Sequence, residues 1–440
     1  MLASCHCEFL LLCSLPIINV QKGIKVRESY IEQVYAKNFR QFEELDVKFN
    51  KGFNFITGPN GSGKTSILAC IAHCLNHSNY RYSRFRENSE IWTNITTPKG
   101  KYKIGVGAGS IKIGGYRGDS IQQWANMPTE ADRTNVNSAQ INNIEGFCPL
   151  FLGSNRSIKY KQISGMQREK PRQESSSTYN SQNTQSLYGE KPESIKQWFI
   201  NRYFIIEKGW AAEEKLNWEH MITSLPELGP FESDLKYVRT ERDLEPIFSI
   251  YGEECYLEEL SSGFQAVLFV IASIFEWLET TKPEGQRQAV SAVGTVLIDE
   301  LDVHLHPEWQ LTLRNGLRTM FPNLQFITTT HSPHLLASAQ EGEVIVLPRT
   351  HGLKKYKLEP TNKKYSGWNT DQILTDLMDV RSLENKDYER LISEAFDACE
   401  QKNVDTLELA ITNLDNITHP NDSIMVVLKT RLASLRVLQP

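Results

Sequence analysis

The sequence predicts an α/β protein: a mixed sheet flanked by helices, with an inserted helical lobe and a C-terminal α-helical tail. Three observations carry that prediction. The apolar stretch Phe53–Ile56 runs through a glycine-rich turn into an amphipathic helix. A second apolar stretch, Thr295–Ile298, ends in two adjacent acids. After Pro348 the apolar spacing turns helical.

Composition sets the bounds. Of 440 residues, 40% are hydrophobic and 23% charged, an ordinary globular balance. Lysine and arginine number 48 against 53 aspartates and glutamates, a net charge of −5. Contact with nucleic acid must therefore come from a local patch. No apolar run approaches the roughly 20 residues that span a bilayer, so no membrane partner is expected. Collagen-like, disulfide-scaffold and wholly disordered classes are excluded. Eight cysteines are scattered without ligand spacing, which favours a reducing, cytoplasmic location. Cys70 and Cys74, one helical turn apart, read as small core residues. Residues 1–27 read as a loosely ordered extension, or as sequence ahead of the true start codon. Phe9–Ile18 is apolar, but no Lys or Arg precedes it, and Cys13 and Pro16 interrupt it, which argues against a signal peptide.

Tyr30–Phe39 and Leu45–Phe49 read as strands, and Gly52–Ile56 as a buried one. Ser66–Leu75 follows as a helix, with Ile67, Leu68, Ile71, Ala72 and Leu75 at helical spacing. Tyr102–Tyr116 reads as short antiparallel strands punctuated by glycines, without the helix-opening context of a dinucleotide fingerprint. Gly165–Lys191 is polar and serine-rich and reads as a mobile loop. Ile195–Leu225 is helical, with Trp198, Trp210 and Trp218 as core anchors. Asp371–Val380, Lys386–Gln401, Asp405–Leu414 and Ser423–Leu438 read as helices. In the second, Tyr388, Leu391, Ile392, Ala395, Phe396 and Cys399 form one apolar stripe. The expected organisation is an extension at 1–27, a head at 28–348 with an inserted loop and helical lobe at about 155–255, and a helical region at 349–440.

Gly58-Pro-Asn-Gly-Ser-Gly-Lys64-Thr65 fits G-x-x-x-x-G-K-[ST], with a strand before it and a helix after it. Glycines let backbone N–H groups curl around a phosphate, and the helix N-terminus adds its dipole. Asn60, Gly61, Gly63, Lys64, Thr65 and Ser66 are the candidate nucleotide-binding residues. Lys64 would bridge the β and γ phosphates of ATP, and Thr65 would ligate Mg²⁺. A bare glycine turn would not arrive with both flanking elements. Thr295–Ile298 delivers Asp299 to the C-terminal edge of the sheet, where ligands sit. Asp299 would hold Mg²⁺ through water, and Glu300 would polarise the attacking water. Leu260-Ser-Ser-Gly263-Phe-Gln265 opens an apolar helix, a helix cap or an anion-binding arrangement. Phe326–Thr330 is another strand, and His331 at its end falls near the γ-phosphate.

In this order, the phosphate loop, the Ser-Ser-Gly signature, Asp299-Glu300, the Asp302 loop and His331 resemble the ABC-type ATPase head of the SMC, RecF and OLD families. Asn38-Phe39-Arg40-x-Phe42 also looks like those heads, and adds Arg40 to the nucleotide-binding set. The resemblance covers roughly residues 28–348. It implies a homodimer, or a higher homo-oligomer, in which Ser261 and Gly263 of one subunit cap ATP held by another. It also implies Asp302 at the dimer contact, His331 as γ-phosphate sensor, and a Q-loop glutamine, for which Gln162 is the choice.

This sequence departs from parts of that superfamily. No coiled coil separates the phosphate loop from the signature, and no nuclease constellation follows the helical tail. Phe264 stands where the signature often has Glu or Gln. The compact head, Phe151–Arg156, Gln162–Met166 and the short tail most resemble the stand-alone ATPases of bacterial antiphage systems of the Septu type. That implies a separately encoded HNH nuclease subunit acting on DNA. Two alternatives stay open: a nucleotide-gated scaffold with little turnover, and a RecF-like DNA-repair ATPase. The latter needs a basic surface. Arg156, Lys159, Lys161 and Arg168, with Lys170 and Arg172, offer one, and Arg81, Arg84 and Arg86 offer a second. Either cluster could equally be a solvated face.

Overall fold

Alternating apolar positions build the first sheet. The structure, a computed structural model, describes residues 28–189, 195–229, 234–349, 354–380, 386–419 and 422–438; the extension at 1–27 lies outside these. β1 (Tyr30–Phe39) and β2 (Phe42–Lys48) form an antiparallel pair, with Ile31, Val34, Ala36 and Phe39 of β1 buried. β3 (Phe53–Thr57) is buried throughout, and α1 (Lys64–Leu75) leaves the turn after it. β4 (Phe85–Thr97) and β5 (Gly100–Val106) pair antiparallel. The ribbon β6 (Ile111–Lys112) and β7 (Ser120–Ile121) and the strand β8 (Thr134–Asn137) follow. β9 (Leu150–Leu152) leads to α2 (Arg172–Leu187), α3 (Ile195–Ile205) and α4 (Ala212–Leu228). β10 (Lys236–Thr240), β11 (Pro246–Ile250) and β12 (Glu253–Tyr256) make a small antiparallel sheet ahead of α5 (Ser262–Thr281).

Then come β13 (Gly294–Ile298), α6 (Pro307–Met320), β14 (Leu324–Thr329), α7 (Pro333–Ser338), β15 (Val344–Val346) and β16 (Lys354–Leu358). The tail holds α8 (Thr370–Asp376), α9 (Lys386–Glu400), α10 (Val404–Asp415) and α11 (Ser423–Leu438). The first sheet runs β16-β2-β1-β4-β5-β8; the second, all parallel, runs β15-β3-β14-β13-β9. α1 lies between the two sheets and buries every residue except Thr65. The opposite face of the parallel sheet carries Phe53, Phe55, Val296 and Phe326 into a larger core with α3 to α8. Parallel order puts the C-terminal ends of β3, β13 and β14 along one edge.

Four readings are corrected. The polar segment Gly165–Lys191 contains α2, a helix held by hydrogen bonds instead of an apolar stripe. Asn183 Nδ2 donates to the Ala72 carbonyl at 3.0 Å, and Asn76 Nδ2 to the Ser181 carbonyl at 2.7 Å. Trp198 and Trp218 are core anchors, but Trp210 is 70% exposed. Past Pro348, β16 pairs with β2 before the helices begin. Tyr365, Ile373 and Leu377 belong to the main core, whereas α9, α10 and α11 enclose a separate one. Finally, α5 is long and apolar enough to span a bilayer by composition, yet it is mostly buried among the core helices.

Candidate nucleotide site

The turn after β3 needs glycine where it meets α1. Gly63 has φ +112°, and a Cβ there would sit 2.5 Å from the Phe42 ring and collide with the Gln41 side chain. Lys64 curls back over its own loop, donating to the carbonyls of Gly58 at 2.9 Å and Pro59 at 3.1 Å. Burial pushes its ammonium pKa down to about 8, opposed by the negative charges of Asp299, Glu300 and Asp302. Asn60 and Gly61 stand exposed at the tip.

Thr65 is the second residue of α1 and Asp299 directly follows β13, far apart in sequence, yet Thr65 Oγ1 donates to both Asp299 oxygens at 3.0 and 3.1 Å. Thr329 Oγ1, from the intervening strand β14, donates to Asp299 Oδ1 at 2.6 Å. A hydroxyl and a carboxylate at one point are hard oxygen donors, the set that suits Mg²⁺.

Glu300 adopts φ +50°, rare for a side chain with a Cβ and typical of functional strand ends. Its N–H donates to Thr329 Oγ1 at 2.7 Å. Its carbonyl accepts from Arg156 Nη2 at 3.0 Å. Asp302 Oδ1 accepts from Thr330 Oγ1 at 2.7 Å and from the His331 N–H at 3.2 Å, which anchors the histidine backbone. Burial, then the charge of Lys64, holds the His331 imidazole below its ordinary pKa. It is therefore neutral at pH 7 and able to donate one hydrogen bond.

Arg40, at φ +48°, donates through Nη1 to Ser66 Oγ at 3.3 Å and through Nε to Ser83 Oγ at 3.0 Å, and it reaches the Tyr188 hydroxyl. Ser66 Oγ in turn donates to Gln41 Oε1 at 3.2 Å. Arg40 and Ser66 thus stand together at the start of α1.

The structure leaves other expected residues away from this cluster. Ser261 stands at the N-cap position of α5 without a side-chain capping bond and is exposed, with no hydrogen bond to its own phosphate loop among the described residues. Gly263 packs against the segment that follows Asp302: a Cβ would come within 3.0 Å of the His304 carbonyl. Gln162 is exposed and, among the described residues, makes no hydrogen bond to the phosphate loop. Arg156 corrects the basic-surface reading. It is 2% exposed, and its guanidinium donates to the carbonyls of Gly153, Asp299, Glu300 and Leu301. Lys159, Lys161 and Arg168 are exposed. Sequence reading missed Thr329, Gln41 and the positioning role of Arg156. A basic residue just past a short apolar strand carries no mark separating it from the exposed lysines that follow.

The RecF/RecN/SMC N terminal domain model matches residues 30–352. The Septu protein PtuA of Bacillus thuringiensis is 26% identical over 427 residues, spanning 93% of this chain and 99% of that protein. The Retron Vc95 probable ATPase of Vibrio cholerae serotype O1 biovar El Tor is 23% identical over 398 residues and 75% of each chain. The SMC head domain from Thermotoga maritima aligns over 76% of this chain and 99% of its own, with 14% identity and a TM-score of 0.42. The family match runs from β1 past β15 and takes in every strand that positions the site, and this chain belongs to the RecF/RecN/SMC N-terminal domain family.

Proposed function

We propose that this protein is the ATP-binding and ATP-hydrolysing subunit of a bacterial antiphage defence assembly. It closes as a head-to-head homodimer around ATP and Mg²⁺ and controls a separately encoded HNH nuclease that acts on DNA. The observation that carries the nucleotide chemistry is the contact between Thr65 and Asp299 at 3.0 Å, which joins the phosphate loop to the acid at the end of β13. The defence role is supported by similarity to the Septu protein PtuA and to the retron ATPase.

Lys64 leaves the Gly58 and Pro59 carbonyls to meet the β and γ phosphates. Thr65 and Asp299 would hold Mg²⁺, which neutralises charge on the phosphate oxygens. Glu300 accepts a proton from the attacking water. Neutral His331 donates a hydrogen bond toward the γ-phosphate, and the Asp302 carboxylate holds its backbone in place. Ser261 and Gly263 of the second subunit close the site.

The test is ATP hydrolysis by the purified chain and its Glu300→Gln variant, with light scattering before and after ATP. Wild-type turnover with Mg²⁺, lost in the variant while an ATP-dependent dimer persists, supports the reading. Equal rates overturn the assignment of Glu300; absence of any turnover favours the nucleotide-gated scaffold. Co-purification with an HNH protein encoded beside it tests the partner.

A further inference from the structure

Beside the phosphate loop, past Arg40 and Ser66, lies an open basin of about 1370 Å³. That is larger than the roughly 300–1000 Å³ of ordinary small-molecule sites, so the nucleoside of one ATP would leave much of it empty. Its far wall is formed by the segment before β4 and by the hairpin loop between β6 and β7.

The chemistry of that wall is repetitive. Arg81 stacks on Tyr82 at 5.3 Å, and Arg117 stacks on Tyr116 at 5.5 Å. Tyr82 also stacks on Tyr188, with ring centroids 5.8 Å apart at 21°. Arg81, Arg84 and Arg117 are exposed and, among the described residues, make no ion pair with a carboxylate. The acids lining the basin are Glu87 and Asp119. The Asp119 carboxylate already accepts from the N–H groups of Phe85 and Gly114. Tyr116 is 93% exposed at the tip of its loop, so packing gives no account of it.

We propose that this basin binds single-stranded nucleic acid. Each arginine–tyrosine pair offers a positive charge beside an aromatic face, matching a polymer that repeats a phosphate and an unpaired base. In a duplex the bases stack on one another and those faces would go unused. The proposal goes beyond the ATPase reading and does not rest on it.

The experiment measures binding of fluorescent oligothymidylate and oligouridylate of about a dozen nucleotides to the full chain without nucleotide, so its outcome is independent of ATP turnover. Both strands should bind, and the tighter one identifies the sugar. Tyr116→Ala should weaken binding by about tenfold. Arg81→Ala with Arg84→Ala should lower the slope of log affinity against log salt by about 1.4. The proposal is overturned if a duplex of equal length binds as tightly and Tyr116→Ala has no effect. It is equally overturned if neither variant changes binding, or if MgATP displaces the oligonucleotide competitively, which would make the basin a nucleoside pocket.

Discussion

Arg156 grips the backbone of Glu300 from inside the protein. Its guanidinium donates to the Glu300 carbonyl at 3.0 Å and also to the carbonyls of Gly153, Asp299 and Leu301. The acid two residues past β13 is therefore held by a buried cation, at a left-handed backbone angle it would not adopt freely.

Arg156→Ala removes a donor from each of these carbonyls, and of the four Glu300 still accepts from the Val303 N–H at 3.0 Å. Stability should fall by about 2–4 kcal/mol, read as a lower melting temperature. Turnover should fall more than ATP affinity, because Glu300 loses its orientation while Lys64 and Thr65 do not. Arg156→Lys keeps a charge but not the fork, so recovery should be partial. Unchanged kcat in a folded Arg156→Ala protein would sink the positioning role.

If Lys64 meets the phosphates as proposed, removing its ammonium removes that charge. Lys64→Ala should abolish tight ATP binding in an equilibrium titration. Glu300→Gln should bind ATP normally and lower turnover by about 100-fold or more.

ATP affinity should depend on pH through Lys64. Its pKa in the free protein is about 8, against an ordinary 10.5. Below about pH 8 the ammonium is already present. Above it, binding must first take up a proton, so log Kd should rise by about one per pH unit until the pKa in the complex is reached. For folding, the unfolded chain holds this proton longer than the native one, so the contribution of this group to stability rises from about pH 8 to 10.5. Titrations at about pH 7, 8 and 9 test the binding effect; Lys64→Arg should flatten it, and a flat wild-type profile would rule it out.

If Ser261 and Gly263 act in trans, Lys64→Ala subunits mixed with Ser261→Arg subunits leave one intact composite site per mixed dimer. ATPase assays should then show partial recovery where each variant alone is inactive. Mixed dimers without recovery would exclude the trans site.

The chain should tolerate removal of α9, α10 and α11, which close their own core around Leu391, Leu407, Leu414 and Leu428. A protein ending at Val380 should keep ATP binding and nearly the same melting temperature. If these helices are a docking platform, it should lose partner binding or higher assembly, read by pull-down and light scattering. A cut at Tyr365 should fail to fold: Tyr365 is 1% exposed and packs in the main core with Ile373.

Much of the fold was legible because its signals are local. The turn Gly58–Thr65 declares itself by residue type, and α9 by its apolar stripe. α2 was illegible because Asn183 and Asn76 hold it, and a polar helix docked by hydrogen bonds has the composition of a loop. Trp210 was misplaced because it falls in the turn between α3 and α4, a break that aromatic content does not mark.

What the sequence determined by itself was the set of chemical groups: a phosphate turn, two acids after an apolar strand, a serine-glycine helix start and a histidine after a third strand. What only the tertiary structure decided was which of them meet. Thr65 touches Asp299 because β14 lies between β3 and β13 in a parallel sheet, bringing three strand ends to one edge. Arg156 turns inward while Lys159 and Lys161 stay in water, because only its position faces the carbonyls after β13. Contacts of this kind depend on strand order and register, and a short-range pattern of side-chain polarity does not encode them.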